Sequence, residues 1–313
     1  MSEPDYDRLI DAEMWDYISA VDACYPPDPV VLSIAEQRAV YDAMARRFHQ
    51  GRPAGVKVRD QTLGEVRCRF YEVGENDVTV LYLHGGGFVV GGLDSHDDVC
   101  AELCARTGFR IVSADYGLAP EVVFPGCFND AWKVFEVLAG APGAQVVLAG
   151  DSAGGNLAAA IAHQARGDYA GRVLGQVLIY PGLGGDERRG SYVEHAEAPH
   201  LTAADLAFYR EVRIGGAAVA PGDARFAPLW DHDFSGLPPT VIVTAQCDPL
   251  ASDGEAYRDA LRAAGGRAEW INVAGMVHGC LRARGMSARA AGFFDEVVGA
   301  VGALGQGAWH YTA

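Results

Sequence analysis

The stretch Gly150-Asp-Ser-Ala-Gly-Gly155 is the most informative part of the chain. It fits the pattern G-x-S-x-G and lies between a short apolar run, residues 145–149, and an alanine-rich run typical of a helix, residues 156–165. A serine hydroxyl is a poor nucleophile, and a tight turn between a strand and a helix exposes it to a base. Flanking glycines allow close backbone approach, and amides at the helix N-terminus can stabilise negative charge. The stretch therefore predicts a nucleophilic serine, Ser152, on a strand-to-helix turn.

A second motif, His84-Gly-Gly-Gly-Phe88, follows an apolar strand predicted over Val78–Leu83. Consecutive glycines let the backbone turn its N–H groups towards a developing negative charge, and such a preorganised donor contributes about 3–4 kcal/mol. The alternative is an ordinary flexible glycine turn. Because the serine motif follows in the expected order, we interpret this segment as an oxyanion-binding loop. His84 is expected to orient the loop rather than act as base, with Gly85 and Asp151 supporting the two motifs.

The acid and the base are predicted from their positions after late strands. In this arrangement the chain order is nucleophile, acid, histidine. Asp248 follows the β-branched run at residues 240–245, and catalytic groups cluster at the carboxyl ends of strands in open α/β sheets. His278 follows the last predicted strand, residues 268–273, in a glycine-flanked loop. We predict that His278 is the general base for Ser152 and that Asp248 fixes its tautomer and stabilises the imidazolium.

Other acids and histidines fit these roles less well. Asp253 falls inside a predicted helix, residues 253–264, where a solvated or first-turn role is expected. His96 is interpreted as part of a helix start capped by Asp94 or Ser95. The remaining histidines are interpreted as surface or core residues: His49, His163, His195, His200, His232 and His310.

Taken together, these motifs resemble those of the hormone-sensitive-lipase-like esterases, a branch of the α/β-hydrolases. The resemblance implies a mostly parallel central sheet flanked by helices, with a helical cap. It implies hydrolysis of short- to medium-chain acyl esters through an acyl-enzyme, without metal or organic cofactor. It also implies a Ser152–His278–Asp248 triad and an oxyanion hole formed by the amides of Gly86, Gly87 and Ala153. The matching segments are His84-Gly-Gly-Gly-Phe88, Asp115-Tyr-Gly-Leu-Ala-Pro-Glu121, Gly150-Asp-Ser-Ala-Gly-Gly-Asn156, Asp248-Pro-Leu250 and Gly275-Met-Val-His-Gly279.

The sequence departs from the family pattern in three places. Gly117 stands where the family usually has arginine, and Val122-Val123 replace a pair that commonly begins with histidine. We expect these two departures to affect packing. Cys280 stands where the family often has an aromatic residue, and it is expected to reshape the acyl or alcohol pocket.

Composition limits the class of partner. The chain has 313 residues, half of them hydrophobic, which suits one α/β domain with an accessory element. A formal net charge of −16 argues against nucleic acid or an anionic membrane surface as partner. The first seven residues are acidic, and no apolar run approaches the ~20 residues needed to cross a bilayer. We therefore expect a cytoplasmic protein without stable membrane association, acting on a small-molecule ester. A homodimer is compatible with the sequence, although no feature demands it.

The seven cysteines lack the spacing of a metal site. We interpret them as buried reduced thiols. Cys247 and Cys280 flank the predicted acid and base at the ends of adjacent predicted strands, so their oxidation could alter activity.

Apolar strands alternate with helical runs from residue 78 onwards, which predicts a parallel sheet. Before them, residues 56–73 alternate as in a hairpin, and residues 6–21 and 33–48 are predicted helices separated by Pro26-Pro-Asp-Pro29. We predict cap helices in residues 1–50, a cap insertion in residues 183–235 with a helix over 203–212, and a catalytic domain formed by residues 51–182 and 236–313. The remaining predicted strands are residues 110–114, 145–149 and 173–180.

The cap is expected to exclude water and shape the substrate pocket. Tyr17, Phe208 and Tyr209 are candidate pocket residues, the alternative being ordinary packing of helix on domain. The same catalytic groups could serve an amidase, a deacetylase or an acyltransferase, because the pocket selects the leaving group and acceptor. A non-catalytic receptor on this fold would typically lack the histidine, so the presence of His278 favours an enzyme.

Overall fold

The computed structural model describes residues 4–26 and 32–311. An eight-stranded sheet with the order β1-β2-β4-β3-β5-β6-β7-β8 forms the centre of this part of the chain. β2 is antiparallel to both β1 and β4, and all the other neighbouring strands are parallel. This is the α/β-hydrolase arrangement that the sequence predicted. The strands are β1 Lys57–Leu63, β2 Val66–Glu72, β3 Val78–Leu83, β4 Arg110–Ala114, β5 Gln145–Asp151, β6 Val173–Ile179, β7 Thr240–Cys247 and β8 Ala268–Val277.

The central strands are continuous apolar runs because helices cover both faces of the sheet. Every residue of β3 is buried, and successive side chains enter opposite cores. Val80 and Tyr82 pack into the core on one face, whereas Leu81 and Leu83 pack into the core on the other. β1, at the edge, is mostly exposed and rich in charged and polar residues, which suits a strand with an unpaired side.

Helices flank the sheet and also lie above its carboxyl edge. The helix after β5, α6, is buried along nearly its whole length, and its alanines allow close packing against the sheet. The helices are α1 Tyr6–Leu9, α2 Ala12–Asp22, α3 Ile34–Phe48, α4 Asp97–Thr107, α5 Gly126–Ala139, α6 Ala153–Ala165, α7 Ser191–Glu194, α8 Ala203–Ile214, α9 Ala251–Ala263 and α10 Ala288–Gly305.

The structure corrects several predicted boundaries. The first predicted helix is divided into α1 and α2, because Ile10 is extended and the Asp11 side chain caps the Met14 amide. β5, β7 and β8 each run further than predicted, so residues 275–277 belong to a strand instead of a loop. α6 begins immediately after Ser152, three residues earlier than predicted. The proline-rich break extends into residues 27–31, which lie outside the described residues.

We call α2, α3 and residues 183–235 the cap. α3 begins at Ser33 with a reciprocal capping box, and α8 begins at Thr202 with another. Arg38 of α3 ties the cap to the sheet domain, since its guanidinium bonds both carboxylate oxygens of Glu121 and the carbonyl oxygens of Val89 and Ala119. The domain boundaries remain a prediction. The cap segments lie above the carboxyl end of β5, where they can enclose a site.

Candidate active site

Ser152 is the single residue between β5 and α6. Its φ of 55° lies in the left-handed region that non-glycine residues seldom adopt, and such strain recurs at functional sites. The turn also lies close to the end of β3. A Cβ on Gly150 would lie 2.7 Å from the carbonyl oxygen of Leu83, and a Cβ on Gly154 would overlap that same oxygen. The two glycines are therefore required by the close approach of backbone to backbone.

The structure brings the three predicted catalytic side chains into one hydrogen-bonded chain. Ser152 Oγ lies 2.9 Å from His278 Nε2, and His278 Nδ1 lies 2.7 Å from Asp248 Oδ2. Asp248 is fully buried, and its other oxygen accepts from the Leu250 amide at 2.8 Å. The ring of Tyr180 lies 4.7 Å from the imidazole. With Nδ1 donating to the carboxylate, Nε2 is free to accept the serine proton.

The amides predicted to form an oxyanion hole are available. Gly86 and Gly87 have φ values of 122° and 61°, and within the described residues their N–H groups donate to no protein acceptor. The Gly86 carbonyl accepts from the amides of Val89 and Val90, which fixes the turn. Ala153 is the first residue of α6, where a helix leaves its N–H groups unpaired. All three amides therefore remain available to an anion beside Ser152.

Asp151 joins the serine turn to the glycine loop. Its Oδ1 accepts from the Gly85 amide at 3.0 Å and from Tyr82 Oη at 2.8 Å, while Oδ2 lies 3.3 Å from His96 Nε2. Burial works to raise the pKa of Asp151, but the attraction of His96 and the hydrogen bonds from His96 and Tyr82 hold the pKa well below its usual value. A charged carboxylate thus anchors the glycine loop, as its predicted supporting role requires.

His96 lies at the start of α4, as predicted, but the predicted cap is wrong. No side chain caps α4, so neither Asp94 nor Ser95 plays the predicted role. Ser95 Oγ instead donates to the Gly92 carbonyl and lies 2.9 Å from His96 Nδ1. The partner of His96, Asp151, is 55 residues away, and the sequence offered no local signal for this contact.

The contacts of His84 suit its predicted role of orienting the glycine loop. Its Nδ1 donates to the Gly85 carbonyl at 2.8 Å, and the ring of Tyr116 stacks on it at 4.4 Å. Tyr116 Oη donates to the His84 carbonyl at 2.6 Å. Burial lowers the pKa of His84 to about 4, so the ring is neutral at physiological pH.

Asp253 is not solvated as predicted, although it does lie in the first turn of α9. Its carboxyl is fully buried and accepts hydrogen bonds from the amides of Leu183 and Gly184 and from Tyr192 Oη, at 2.6, 3.0 and 3.0 Å. Burial raises its pKa to about 7. It therefore holds the start of the insertion rather than a catalytic histidine.

A cavity of about 1040 Å³ lies between the cap and the sheet domain and opens onto Ser152 and His278. Its walls include the three side chains proposed from the sequence, Tyr17, Phe208 and Tyr209. Other aromatic and aliphatic residues contribute to the apolar surface, among them Tyr25, Tyr41, Met44, Phe88, Val90, Tyr180, Leu201, Leu206, Phe226 and Leu250.

Two buried arginines also line the cavity, and neither was predicted from the sequence. Arg213 stacks on the rings of Phe88 and Phe226, with its guanidinium carbon 3.7 and 4.4 Å from the ring centroids. It donates to the Asn156 amide oxygen and to main-chain carbonyls. Arg282 donates to the Ser95 carbonyl and to a tyrosine hydroxyl. His200, interpreted as a surface or core residue, is a third unexpected part of the wall.

The departures from the family pattern are compatible with the fold. A Cβ on Gly117 would lie 2.7 Å from the Val122 side chain, so glycine at one position suits valine at the other. Cys280 is fully buried and does not line the cavity, contrary to its predicted role in shaping the pocket. Cys247 is also fully buried and unpaired, and burial raises its pKa to about 11. Both thiols therefore have the surroundings of inert cysteines.

Comparison with known proteins identifies the family. The sequence profile of the α/β-hydrolase fold family matches residues 80–282. The chain belongs to this family. It is 33% identical to carboxylic ester hydrolase LipN of Mycobacterium tuberculosis over 303 residues, which cover 91% of this chain and 79% of LipN. It is 38% identical to esterase LipI of the same organism over 206 residues, but these span only 64% of each protein.

A solved structure extends the likeness to the fold as a whole. Ester-hydrolase EH1AB1 from the metagenome of Lake Arreo superposes with a TM-score of 0.85 at 30% identity, covering 94% of this chain and 99% of that one. The predicted resemblance to esterases of the α/β-hydrolase fold is confirmed, and the protein is a carboxylic ester hydrolase. Within the described part of the chain, no helix combines the length and apolarity needed to cross a membrane.

Proposed function

We propose that this α/β-hydrolase is a serine carboxylesterase that hydrolyses short- to medium-chain acyl esters through an acyl-enzyme. The observation that carries the proposal is the continuous hydrogen-bonded chain from Ser152 Oγ through the His278 ring to Asp248. Such a chain activates a hydroxyl by giving its proton a nearby acceptor and by stabilising the imidazolium that results.

Acylation follows from this geometry. His278 Nε2 takes the Ser152 proton while Oγ attacks the ester carbonyl carbon. The tetrahedral oxyanion is stabilised by the amides of Gly86, Gly87 and Ala153. Charge develops on this oxygen only during reaction, so fixed donors lower the barrier more than they strengthen substrate binding. His278 then donates its proton to the departing alkoxide, and the alcohol leaves.

In deacylation, water acts as the nucleophile in place of Ser152. Water takes the place of the alcohol, His278 removes its proton, and the resulting hydroxide attacks the acyl carbon. Collapse of the second tetrahedral intermediate releases the carboxylic acid and returns the proton to Ser152 Oγ. Asp248 accepts from His278 Nδ1 throughout and holds the ring so that Nε2 faces the reacting oxygen.

The cavity supports an acyl ester as substrate. Its volume of about 1040 Å³ is at the upper end of the range for small-molecule sites, and its walls are mainly aromatic and aliphatic. An uncharged acyl chain can therefore be buried beside Ser152 against apolar side chains. The cap encloses the chain and supports a preference for acyl groups that fit under it.

We also propose a cytoplasmic location. The seven cysteines are all unpaired, as is typical of proteins in a reducing compartment. Fractionation of the native host with soluble and membrane markers tests this directly, and recovery of the protein outside the soluble cytosolic fraction would contradict it.

The function is tested by a rate profile on p-nitrophenyl esters with acyl chains from two to twelve carbons, run beside Ser152→Ala. We expect serine-dependent hydrolysis that is fastest at short to medium chains. Hydrolysis that survives Ser152→Ala would refute the mechanism. Absence of turnover at every chain length would refute the proposed substrate class, and matched aryl amides would then distinguish an amidase.

A further inference from the structure

Side chains of the cap bond the backbone that carries the catalytic base. We call His278 and Gly279 the base segment. Tyr17 Oη in α2 donates to the Gly279 carbonyl at 3.2 Å, and His200 Nδ1 lies 3.4 Å from the His278 carbonyl. A carbonyl oxygen can only accept, so the Nδ1 of His200 carries the proton. Each carbonyl of the base segment therefore accepts a hydrogen bond from the cap.

Both donors are held in place and remain neutral. The ring of Tyr17 meets those of Phe48 and His200 edge-on, with centroids 5.1 and 5.4 Å apart. Burial raises the pKa of Tyr17 well above its usual value, so its hydroxyl stays protonated. Burial likewise lowers the pKa of His200, which favours the neutral ring with one N–H.

The backbone of His200 is itself constrained. Its φ of 70° is in the left-handed region, which costs a non-glycine residue energy and persists where the surroundings impose it. Thr202, two residues on, caps α8 by accepting from the Asp205 amide. His200 therefore lies in the turn that leads into α8.

The base segment lies at a turn. Gly279 has φ 77° and carries no Cβ, and its carbonyl oxygen also accepts from the Arg282 amide at 3.3 Å, so the bond from Tyr17 adds to one within the turn itself. Rotation there would carry the His278 ring away from Ser152, which it meets at 2.9 Å. A displacement of about 1 Å in a catalytic group can cost on the order of a hundredfold in rate.

We propose that Tyr17 and His200 are positioning residues for His278, which align the base on Ser152 when the cap is seated over the cavity. The same two side chains also line the cavity, so enclosure of the substrate and alignment of the base depend on one structural element. The proposal rests on the proposed esterase mechanism, in which His278 is the base.

The first test compares Tyr17→Phe with Tyr6→Phe. Each substitution removes one hydroxyl that contacts a distant segment, but Tyr17 bonds the base segment, whereas Tyr6 Oη lies 3.2 Å from His195 Nδ1, outside the cavity. We expect Tyr17→Phe to lower kcat about tenfold, the upper range for one net hydrogen bond, with KM within about twofold. The acidic limb of its kcat/KM profile should move to lower pH, since a misaligned imidazolium loses support from Asp248. Tyr6→Phe should retain both the wild-type kcat and the wild-type limb.

The second test examines whether kcat depends on the N–H donor of residue 200. His200→Asn keeps an N–H near the position of Nδ1 and tolerates the left-handed backbone, whereas His200→Gly removes the donor and relaxes the backbone. We expect kcat of the asparagine variant within about threefold of wild type and kcat of the glycine variant about tenfold lower. Active sites are counted by titration with a fluorophosphonate, so that molecules that fail to fold do not enter the rate.

The outcomes separate the two proposals. Turnover that survives Ser152→Ala would overturn the esterase mechanism and the positioning role with it. Serine-dependent turnover with a wild-type kcat per site and a wild-type acidic limb in Tyr17→Phe would overturn the positioning role alone. Equal losses in Tyr17→Phe and Tyr6→Phe, or in both His200 variants, would also overturn it, because the loss would then not depend on the hydrogen bonds to the base segment.

Discussion

Replacing Asp253 with asparagine should remove a large part of the pH dependence of stability. The carboxyl is fully buried at the start of α9, and burial raises its pKa from 3.8 to about 7, although hydrogen bonds from Leu183, Gly184 and Tyr192 favour the charged form. The folded protein therefore keeps a proton over a pH range in which the unfolded chain has released it.

The sign and size of the effect follow from linkage. A group whose pKa is raised by folding contributes stability fully below its unfolded pKa, and that contribution is lost as the pH rises through its folded pKa. The pKa of Asp253 is 3.8 in the unfolded chain and about 7 in the folded protein. Its contribution to the free energy of unfolding is therefore on the order of 3 kcal/mol at pH 5 and almost zero near pH 8.5. Asparagine has nearly the same shape and no proton to lose, so Asp253→Asn lacks this contribution.

The assay is urea unfolding at pH 5 and pH 8.5. From pH 5 to pH 8.5, the unfolding free energy of the wild type should fall by about 3 kcal/mol more than that of Asp253→Asn. Asp259→Asn is the matched control, because Asp259 is an exposed carboxylate on the same helix and should shift the difference little. If the wild type and Asp253→Asn differ by the same amount at both pH values, the buried carboxyl does not hold a proton and the reasoning is refuted.

Three further changes test other parts of the structure. Gly154→Ala places a Cβ against the Leu83 carbonyl oxygen and should lower the unfolding free energy by about 1–3 kcal/mol, measured by thermal or chemical unfolding; unchanged stability would contradict the close approach. Asp248→Asn should lower kcat by about 10⁴-fold with an unaltered circular dichroism spectrum, because the His278 tautomer is no longer fixed; near wild-type turnover would remove Asp248 from the mechanism. Peroxide followed by dithiothreitol should leave ester hydrolysis unchanged, since Cys280 is fully buried and burial raises its pKa well above the usual value; a loss that dithiothreitol restores would show a redox role.

The sequence predicted the fold and the candidate catalytic groups because both have local signatures. A serine between a strand and a helix needs glycines at fixed offsets, and Gly150 and Gly154 stand where the end of β3 approaches most closely. Apolar runs mark strands that are buried on both faces. Boundaries were less accurate, and β8 continues through residues 274–277 because pairing with β7, rather than local composition, decides where the strand ends.

The contacts that support the site were not predictable, because each joins residues far apart in the chain. Asp253 resembled a solvated acid at a helix start, since nothing in residues 251–263 shows that the insertion places Leu183 and Gly184 against it. His96 was predicted only as part of a helix start, because its partner Asp151 is supplied by β5, far away in the chain. A motif records local requirements, such as a glycine at a fixed offset from a serine. The contacts of Asp253 and His96 instead arise from tertiary packing.

The cap combines two roles that are usually considered separately. It walls the cavity with aromatic side chains, and through Tyr17 and His200 it also bonds the backbone on which His278 is carried. A cap altered at these residues to admit a larger ester would also change the hydrogen bonds to the base segment. His278 Nε2 lies 2.9 Å from Ser152 Oγ, so a small displacement of the ring would lengthen this contact. Changes of cap residues that leave both hydrogen bonds in place should therefore alter KM and chain-length preference with little change in kcat, whereas a replacement cap without these donors should lower kcat even for esters that fit beneath it.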